Sequence, residues 1–336
     1  METKTICGDC TIELPKLATG SVQSVITSPP YFLQRDYKVA PTAWPEVSYA
    51  PIIGVPEITV PAWSGCLGLE PTPLMYVAHL VYVFRLVRPV LADTGNVWLN
   101  LGDKYASDTK HGGATGGKHR KSLHGQDNGM REKIITGVGD KQLMLLPHRL
   151  GLALQADGWY LRNHIVWHKT NAQPEKVEDR LTRADESILL LAKSKYYYFD
   201  YQAIREPARN WGRPKRKGGG KYTTLSVVPG LPPQALGNSD YSQTGRHKRN
   251  VWSIPTTQSN LEHTAVMPEA LVEPCVLAGS APGDTILDPF AGAGTVQKVA
   301  TCLGRNSISI EINPDFQGLI LERNEGVQME MLGVAV

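Results

Sequence analysis

The chain has 336 residues, 41% of them hydrophobic and 20% charged, with a formal net charge of +3. That is the balance of a globular chain of one large domain or two smaller ones, and the net charge by itself does not point to a polyanionic partner. No run reaches the ~18 consecutive apolar residues of a membrane span. Met1-Glu2-Thr3-Lys4 opens no apolar leader, and five irregularly spaced cysteines fit a reducing cytoplasm better than a disulfide framework.

Thr3 to Cys7 alternates as a short strand that Gly8-Asp9 ends, and Thr11 to Leu17 reads as a brief helix. Cys7-Gly8-Asp9-Cys10 has metal or redox spacing, but no second pair or histidine set completes a metal site, so none is expected. Ser21 to Thr27 is apolar enough for a buried strand, and it runs into Thr27-Ser28-Pro29-Pro30-Tyr31. Residues 36–72 are dense in Pro, Ala and Gly and read as an irregular insertion.

Apolar spacing predicts a helix over Pro73 to Leu91 and a buried strand over Gly95 to Leu101. Residues 104–140 are Gly- and Lys-rich without a period and read as a long loop. Gln142 to Asp157 reads as a helix, and Tyr160 to His168 and Ser187 to Ala192 as strands. Residues 201–261 are basic and Pro/Gly-rich, with ten Lys or Arg against two acids. Beyond them the pattern runs helix (268–279), strand (285–288), glycine turn, helix (294–303), strand (307–312) and helix (314–324). Strands alternating with helices predict an α/β fold with a largely parallel sheet.

Ile286-Leu287-Asp288-Pro289-Phe290-Ala291-Gly292-Ala293-Gly294-Thr295 takes a buried strand into a small-residue turn that opens a helix. Glycines there let a ligand approach the backbone. Glu311, about 20 residues past the turn at the next strand end, suits ribose hydroxyls. A dinucleotide site would carry a third glycine, and Thr295-Val296-Gln297 supplies none. An adenosyl ligand with a methionine tail, S-adenosyl-L-methionine, fits better than a pyrophosphate.

Together, TSPPY early and DPFAGAGT late resemble the amino-methyltransferases of DNA, in the permuted order of their beta class. The resemblance covers nearly the whole chain outside residues 36–72 and 104–140 and implies a circularly permuted Rossmann-like methyltransferase sheet. Residues 1–200 would carry the catalytic half, 201–261 the target-recognition region, and 262–336 the cofactor-binding half of the same domain. Asp9 would meet the adenine end of the cofactor. Asp288, Phe290, Gly292 and Gly294 would surround its methionine part, Glu311 its ribose, Pro268 and Glu269 would support the tail, and Thr295 would also belong to the cofactor site.

The implied activity is methylation of a flipped base's exocyclic amine in double-stranded DNA. Ser28 Oγ and the Pro29 carbonyl would accept the amine hydrogens, Pro30 would stiffen the corner, and Tyr31 would offer a stacking face. Serine in the first position leans toward cytosine N4 over adenine N6. Pro274-Cys275 lies on the wrong side of the glycine turn for a cytosine-C5 nucleophile. Two basic clusters, Arg213, Lys215, Arg216, Lys217 and Lys221, then Arg246, Lys248 and Arg249, suit DNA phosphates. A homodimer is expected by the same resemblance, and the enzyme either accompanies a restriction enzyme or acts alone, in a bacterial or phage setting. Two rival readings are a non-catalytic DNA-binding module and an RNA or protein methyltransferase; methyl transfer and competition between RNA and duplex DNA separate them.

Overall fold

The computed structural model describes residues 1–106, 137–207, 245–257 and 266–331. In chain order the first elements are β1 (Thr3–Cys7), α1 (Cys10–Glu13), a 3-10 turn at Leu14–Lys16, and β2 (Val22–Thr27). Four short strands follow: β3 (Thr42–Trp44), β4 (Val47–Tyr49), β5 (Ile58–Val60) and β6 (Trp63–Gly65). Next come α2 (Pro73–Val90), β7 (Leu91–Leu101), α3 (Leu146–Ala156), β8 (Tyr160–His168), β9 (Asp185–Ala192) and β10 (Val251–Ser253). The chain closes with α4 (Glu269–Gly279), β11 (Thr285–Asp288), α5 (Thr295–Cys302), β12 (Asn306–Glu311) and α6 (Pro314–Met331).

Eight of these strands form one sheet in the order β1-β12-β11-β2-β7-β9-β8-β10. Only β9 runs against its neighbours; every other pairing in this sheet joins strands of one direction. The late strands β11 and β12 sit between the early strands β1 and β2, so the two ends of the chain build one half-sheet together. β10 pairs with β8, so the described end of the 201–261 region is part of the sheet.

Period-two alternation sorts the central strands between two cores. From β7, Val97, Leu99 and Leu101 face the core that holds α2 and α3, while Trp98 faces the core that holds α4 and α5. From β9, Leu189 and Leu191 join the first core and Ile188 and Leu190 the second. Burial on both faces explains why these strands read as continuous apolar runs.

Helix α2 is capped by Thr72, whose side chain accepts from Met75 N at 3.2 Å, and Pro73 sits in its first turn. It is buried nearly all round, because the sheet lies on one side and β4 and β5 of the insertion lie on the other.

Three expectations are corrected. The insertion at 36–72 contains two antiparallel strand pairs, β3 with β6 and β4 with β5. Each strand is three residues long and flanked by prolines or glycines, which hid its Thr-Ala-Trp or Val-Ser-Tyr alternation. Helix α3 begins at Leu146, since Pro147 belongs in a first turn rather than mid-helix, and α6 runs on to Met331 rather than ending at 324. Of the expected loop at 104–140, residues 107–136 lie outside the described residues.

Candidate active site

After β11 the chain turns toward β12, and after β2 it turns toward β7. That divergence opens a crevice at the carboxyl ends of β2 and β11, the place where open α/β sheets bind ligands. A cavity of about 460 Å³ occupies it. Ser28, Pro29, Pro30 and Tyr31 line it on one side, and Asp288, Phe290, Gly292, Thr295, Glu311 and Asp9 on the other.

The two halves are joined directly. Thr27 Oγ1 donates to Asp288 Oδ1 at 2.7 Å, and Phe290 N donates to the same oxygen at 3.0 Å. Burial pushes the Asp288 carboxyl up to about 7, against the stabilising hydrogen bonds from Thr27 and Phe290. Between pH ~4 and ~7 the unfolded chain has released this proton while the folded chain still holds it, so stability falls as pH rises through that window. Asp288→Asn is expected to match the wild type at pH 4 and to exceed it at pH 8, by on the order of a few kcal/mol. Calorimetric melting across pH, without ligand, checks this; parallel curves would contradict it.

In the glycine turn, Gly292 N donates to Glu311 Oε2 at 2.7 Å and Asn313 N to Glu311 Oε1 at 2.8 Å. Burial raises the Glu311 carboxyl, and these amide donors oppose the shift. Gly292 has φ +51°, and a Cβ there would meet nothing within 4 Å, so the turn leaves open space beside the backbone. Gly294 has φ +76°, and its Cβ would meet Ile320 at 3.0 Å. This second glycine, which does not line the cavity, lets α5 start close against α6.

Asp9 caps α1: its Oδ1 accepts from Thr11 N at 2.8 Å and Thr11 Oγ1 at 2.7 Å, while Oδ2 accepts from Thr42 Oγ1 at 2.5 Å. Pro268 and Glu269 stand at the start of α4, outside the cavity lining, where Glu269 pairs with Lys298 at 2.8 Å. The neighbouring Met267 does line it.

The TSPPY corner is held from behind. The Pro30 carbonyl accepts from Tyr76 Oη at 2.8 Å, and Leu33 N donates to the Gly68 carbonyl at 2.6 Å. Gly68 is in turn fixed by Glu70, whose Oε2 accepts Gly68 N at 2.8 Å. The Tyr31 ring lies against Gly102, where a Cβ would come within 2.7 Å of it.

Sequence reasoning missed three polar residues here: Asn100, Lys169 and Glu186, all lining the cavity. Tyr31 Oη donates to Glu186 Oε2 at 2.6 Å, Asn100 Nδ2 donates to Tyr31 Oη at 2.9 Å, and Lys169 pairs with Glu186 Oε1. It also missed the insertion's wall, where Tyr37, Thr42, Trp44 and Leu67 face the cavity. Two acids opening a strand give little signal; the reversed direction of β9, which brings Glu186 to the same sheet edge as Ser28, is a tertiary fact.

Cys10 and Cys66 line the cavity, but no cysteine is placed as a nucleophile. Cys10 and Cys275 are buried, and burial pushes both thiols up, away from the reactive thiolate. Among the predicted DNA contacts, Arg213, Lys215, Arg216, Lys217 and Lys221 lie outside the described residues. Arg246 pairs with Glu206 at 3.1 Å, the mostly exposed Arg249 approaches the same oxygen at 3.6 Å, and Lys248 Nζ stands 5.0 Å from the Trp252 ring centre.

A glycine turn and a carboxylate on adjacent strand ends face a proline corner across one cavity, an arrangement of an α/β fold suited to holding a nucleoside group beside a second ligand. The comparisons with known proteins specify the kind. The family model of N6/N4 DNA methylases matches residues 22–322. The Type II methyltransferase M.XycI of Xanthomonas campestris pv. cyanopsidis is 35% identical over 328 residues, spanning 98% of this chain and 89% of the relative. M.SmaI of Serratia marcescens is 36% identical over 320 residues, spanning 95% and 90%.

Among solved structures, the cytosine-N4-specific PvuII DNA methyltransferase shares the fold with a TM-score of 0.60 at 16% identity, over 98% of this chain and 90% of that one. A DNA modification methylase of Thermus thermophilus, complexed with S-adenosyl-L-methionine, follows at 0.54 and 22%, over 97% and 94%. The chain belongs to the N6/N4 DNA methylase family: it is an S-adenosylmethionine-dependent DNA methyltransferase. The residues present fit that cofactor, because the open space at Gly292 and the carboxylate of Glu311 lie on the same wall of the cavity.

Proposed function

We propose that this enzyme methylates the N4 amine of cytosine in double-stranded DNA, with the base flipped into the cavity. The observation that carries the reading is Ser28 at the head of the corner, lining a cavity that reaches without a break to the glycine turn. S-adenosyl-L-methionine supplies an activated methyl group, held by Asp9, Asp288, Phe290, Gly292 and Glu311. An exocyclic amine is a weak nucleophile because its lone pair is spread into the ring. Ser28 Oγ and the Pro29 carbonyl accept its two hydrogens and so localise that lone pair. The prolines and Tyr76 keep the acceptors in place beforehand, so little reorganisation remains at reaction time. The Tyr31 ring supports the flipped base, and such stacking contributes about 1–3 kcal/mol.

Arg249 and Lys248, with the basic cluster at 213–221, contact DNA phosphates in this reading. A companion restriction enzyme belongs to the same proposal, supported by the Type II naming of the relatives; homodimerisation and a cytoplasmic setting are part of the reading as the family resemblance implies them. Among the described residues no helix is long and apolar enough to cross a membrane.

The test is to incubate the enzyme with unmethylated duplex DNA and cofactor, digest to nucleosides and identify the product by mass spectrometry. N4-methylcytosine is expected. N6-methyladenine would overturn the choice of base and leave the chemistry standing.

A further inference from the structure

We propose that Glu186, acting through Tyr31, turns Ser28 into an acceptor aimed at the target amine and takes up the proton that methyl transfer releases. The inference rests on the function proposed above.

Donor and acceptor accounting carries it. A phenol hydroxyl has one proton to give and two lone pairs to receive. Tyr31 Oη receives from Asn100 Nδ2 at 2.9 Å and from Ser28 Oγ at 3.2 Å, which fills both lone pairs. Its own proton goes to Glu186 Oε2 at 2.6 Å. Ser28 has therefore committed its only proton to Tyr31, and its lone pairs remain for a ligand. Without the carboxylate, the Tyr31 proton is free to turn toward Ser28 and compete with the amine.

Glu186 is itself fixed as an acceptor. Lys169 pairs with Oε1, and Asn100 Nδ2 donates to Oε2 at 3.0 Å beside Tyr31. Burial, with the Glu186 charge close by, raises the Tyr31 phenol well above its ordinary value, so it keeps its proton and stays a donor. The side chains come from the ends of adjacent strands: Tyr31 and Ser28 follow β2, Asn100 lies on β7, Glu186 on β9, and Lys169 follows β8.

The chemistry balances. The amine nitrogen's lone pair forms the new N–C bond as the methyl–sulfur bond breaks and its electron pair stays on sulfur. The nitrogen then holds one proton too many and a positive charge. That proton passes to Ser28 Oγ as the Ser28 proton passes to Tyr31 Oη and the Tyr31 proton to Glu186 Oε2. Both hydroxyls end neutral, and the charges on nitrogen and carboxylate are removed together.

The experiment compares wild type, Glu186→Gln, Glu186→Asp and Tyr31→Phe in single-turnover transfer to duplex DNA. Cofactor and DNA affinities are measured separately by binding titration. Glu186→Gln and Tyr31→Phe are expected to slow transfer by about 10²–10³-fold, within the range for positioned proton transfer, with both affinities unchanged. Glu186→Asp, which keeps a carboxylate, is expected to recover part of the loss. Tyr31→Phe keeps the ring and adds no charge, so it guards against a Glu186 variant that misfolds. Wild-type transfer rates in Glu186→Gln or Tyr31→Phe would overturn the relay, and so would a rate loss matched by an equal loss of affinity. A wild type that methylates no DNA base would overturn the function reading itself, and this inference with it.

Discussion

Ser28→Ala is expected to slow single-turnover methyl transfer by about 10²–10³-fold, the loss typical when one preorganised transition-state hydrogen bond is removed. The serine hydroxyl is the acceptor closest to the chemistry, and its proton is already spent on Tyr31 Oη at 3.2 Å. Alanine removes that acceptor without touching the glycine turn, Glu311 or Asp288. Cofactor affinity is therefore expected to stay at the wild-type value in equilibrium titration. A fall in cofactor affinity equal to the fall in rate would mean that Ser28 holds the cofactor and that the base binds elsewhere.

Glu70→Ala is expected to destabilise the protein by about 2–5 kcal/mol, at about 1–3 kcal/mol for each of the two buried hydrogen-bond partners it leaves unsatisfied. Glu70 and His79 are both fully buried, with Glu70 Oε1 at 2.9 Å from His79 Nδ1. His79 is stacked on Trp44 at 4.3 Å and on Trp63 at 5.6 Å between ring centres. The second carboxylate oxygen holds Gly68 N, and Gly68 holds Leu33 just behind Tyr31. Alanine strands the histidine and the Gly68 amide and loosens the insertion's grip on the catalytic corner. Urea unfolding measures the stability loss, and Glu70→Gln, which keeps an acceptor of similar shape, is expected to lose less. An unchanged midpoint would show that the insertion folds without this pair.

Much of this architecture is legible in the sequence because buried parallel strands carry it openly. Ser21 to Thr27, Gly95 to Leu101 and Ser187 to Ala192 read as buried strands, and each falls on a central strand of the sheet. The glycine turn announces itself for a steric reason: Gly292 and Gly294 both take positive φ. The insertion did not announce itself, since three-residue strands between prolines show no measurable period. Its role as a wall of the cavity comes from tertiary contacts such as Thr42 to Asp9. Glu186, Asn100 and Lys169 were hidden for a related reason. They are 155, 69 and 138 positions from Tyr31 along the chain, by subtraction of their residue numbers, and only strand order brings Glu186 and Asn100 to its hydroxyl and Lys169 to Glu186. Pro268, Glu269 and Gly294 were expected around the cofactor, and they stand outside the cavity lining: two at the helix start and one in the packing of α5 on α6.

The most direct test of the central claim is a crystal structure of the enzyme with duplex DNA and a non-reactive cofactor analogue. The account predicts one flipped base in the cavity, its exocyclic amine within hydrogen-bonding distance of Ser28 Oγ and the Pro29 carbonyl, and the analogue's ribose at Glu311. A base that stays stacked in the duplex, or an amine that faces away from Ser28, would contradict it.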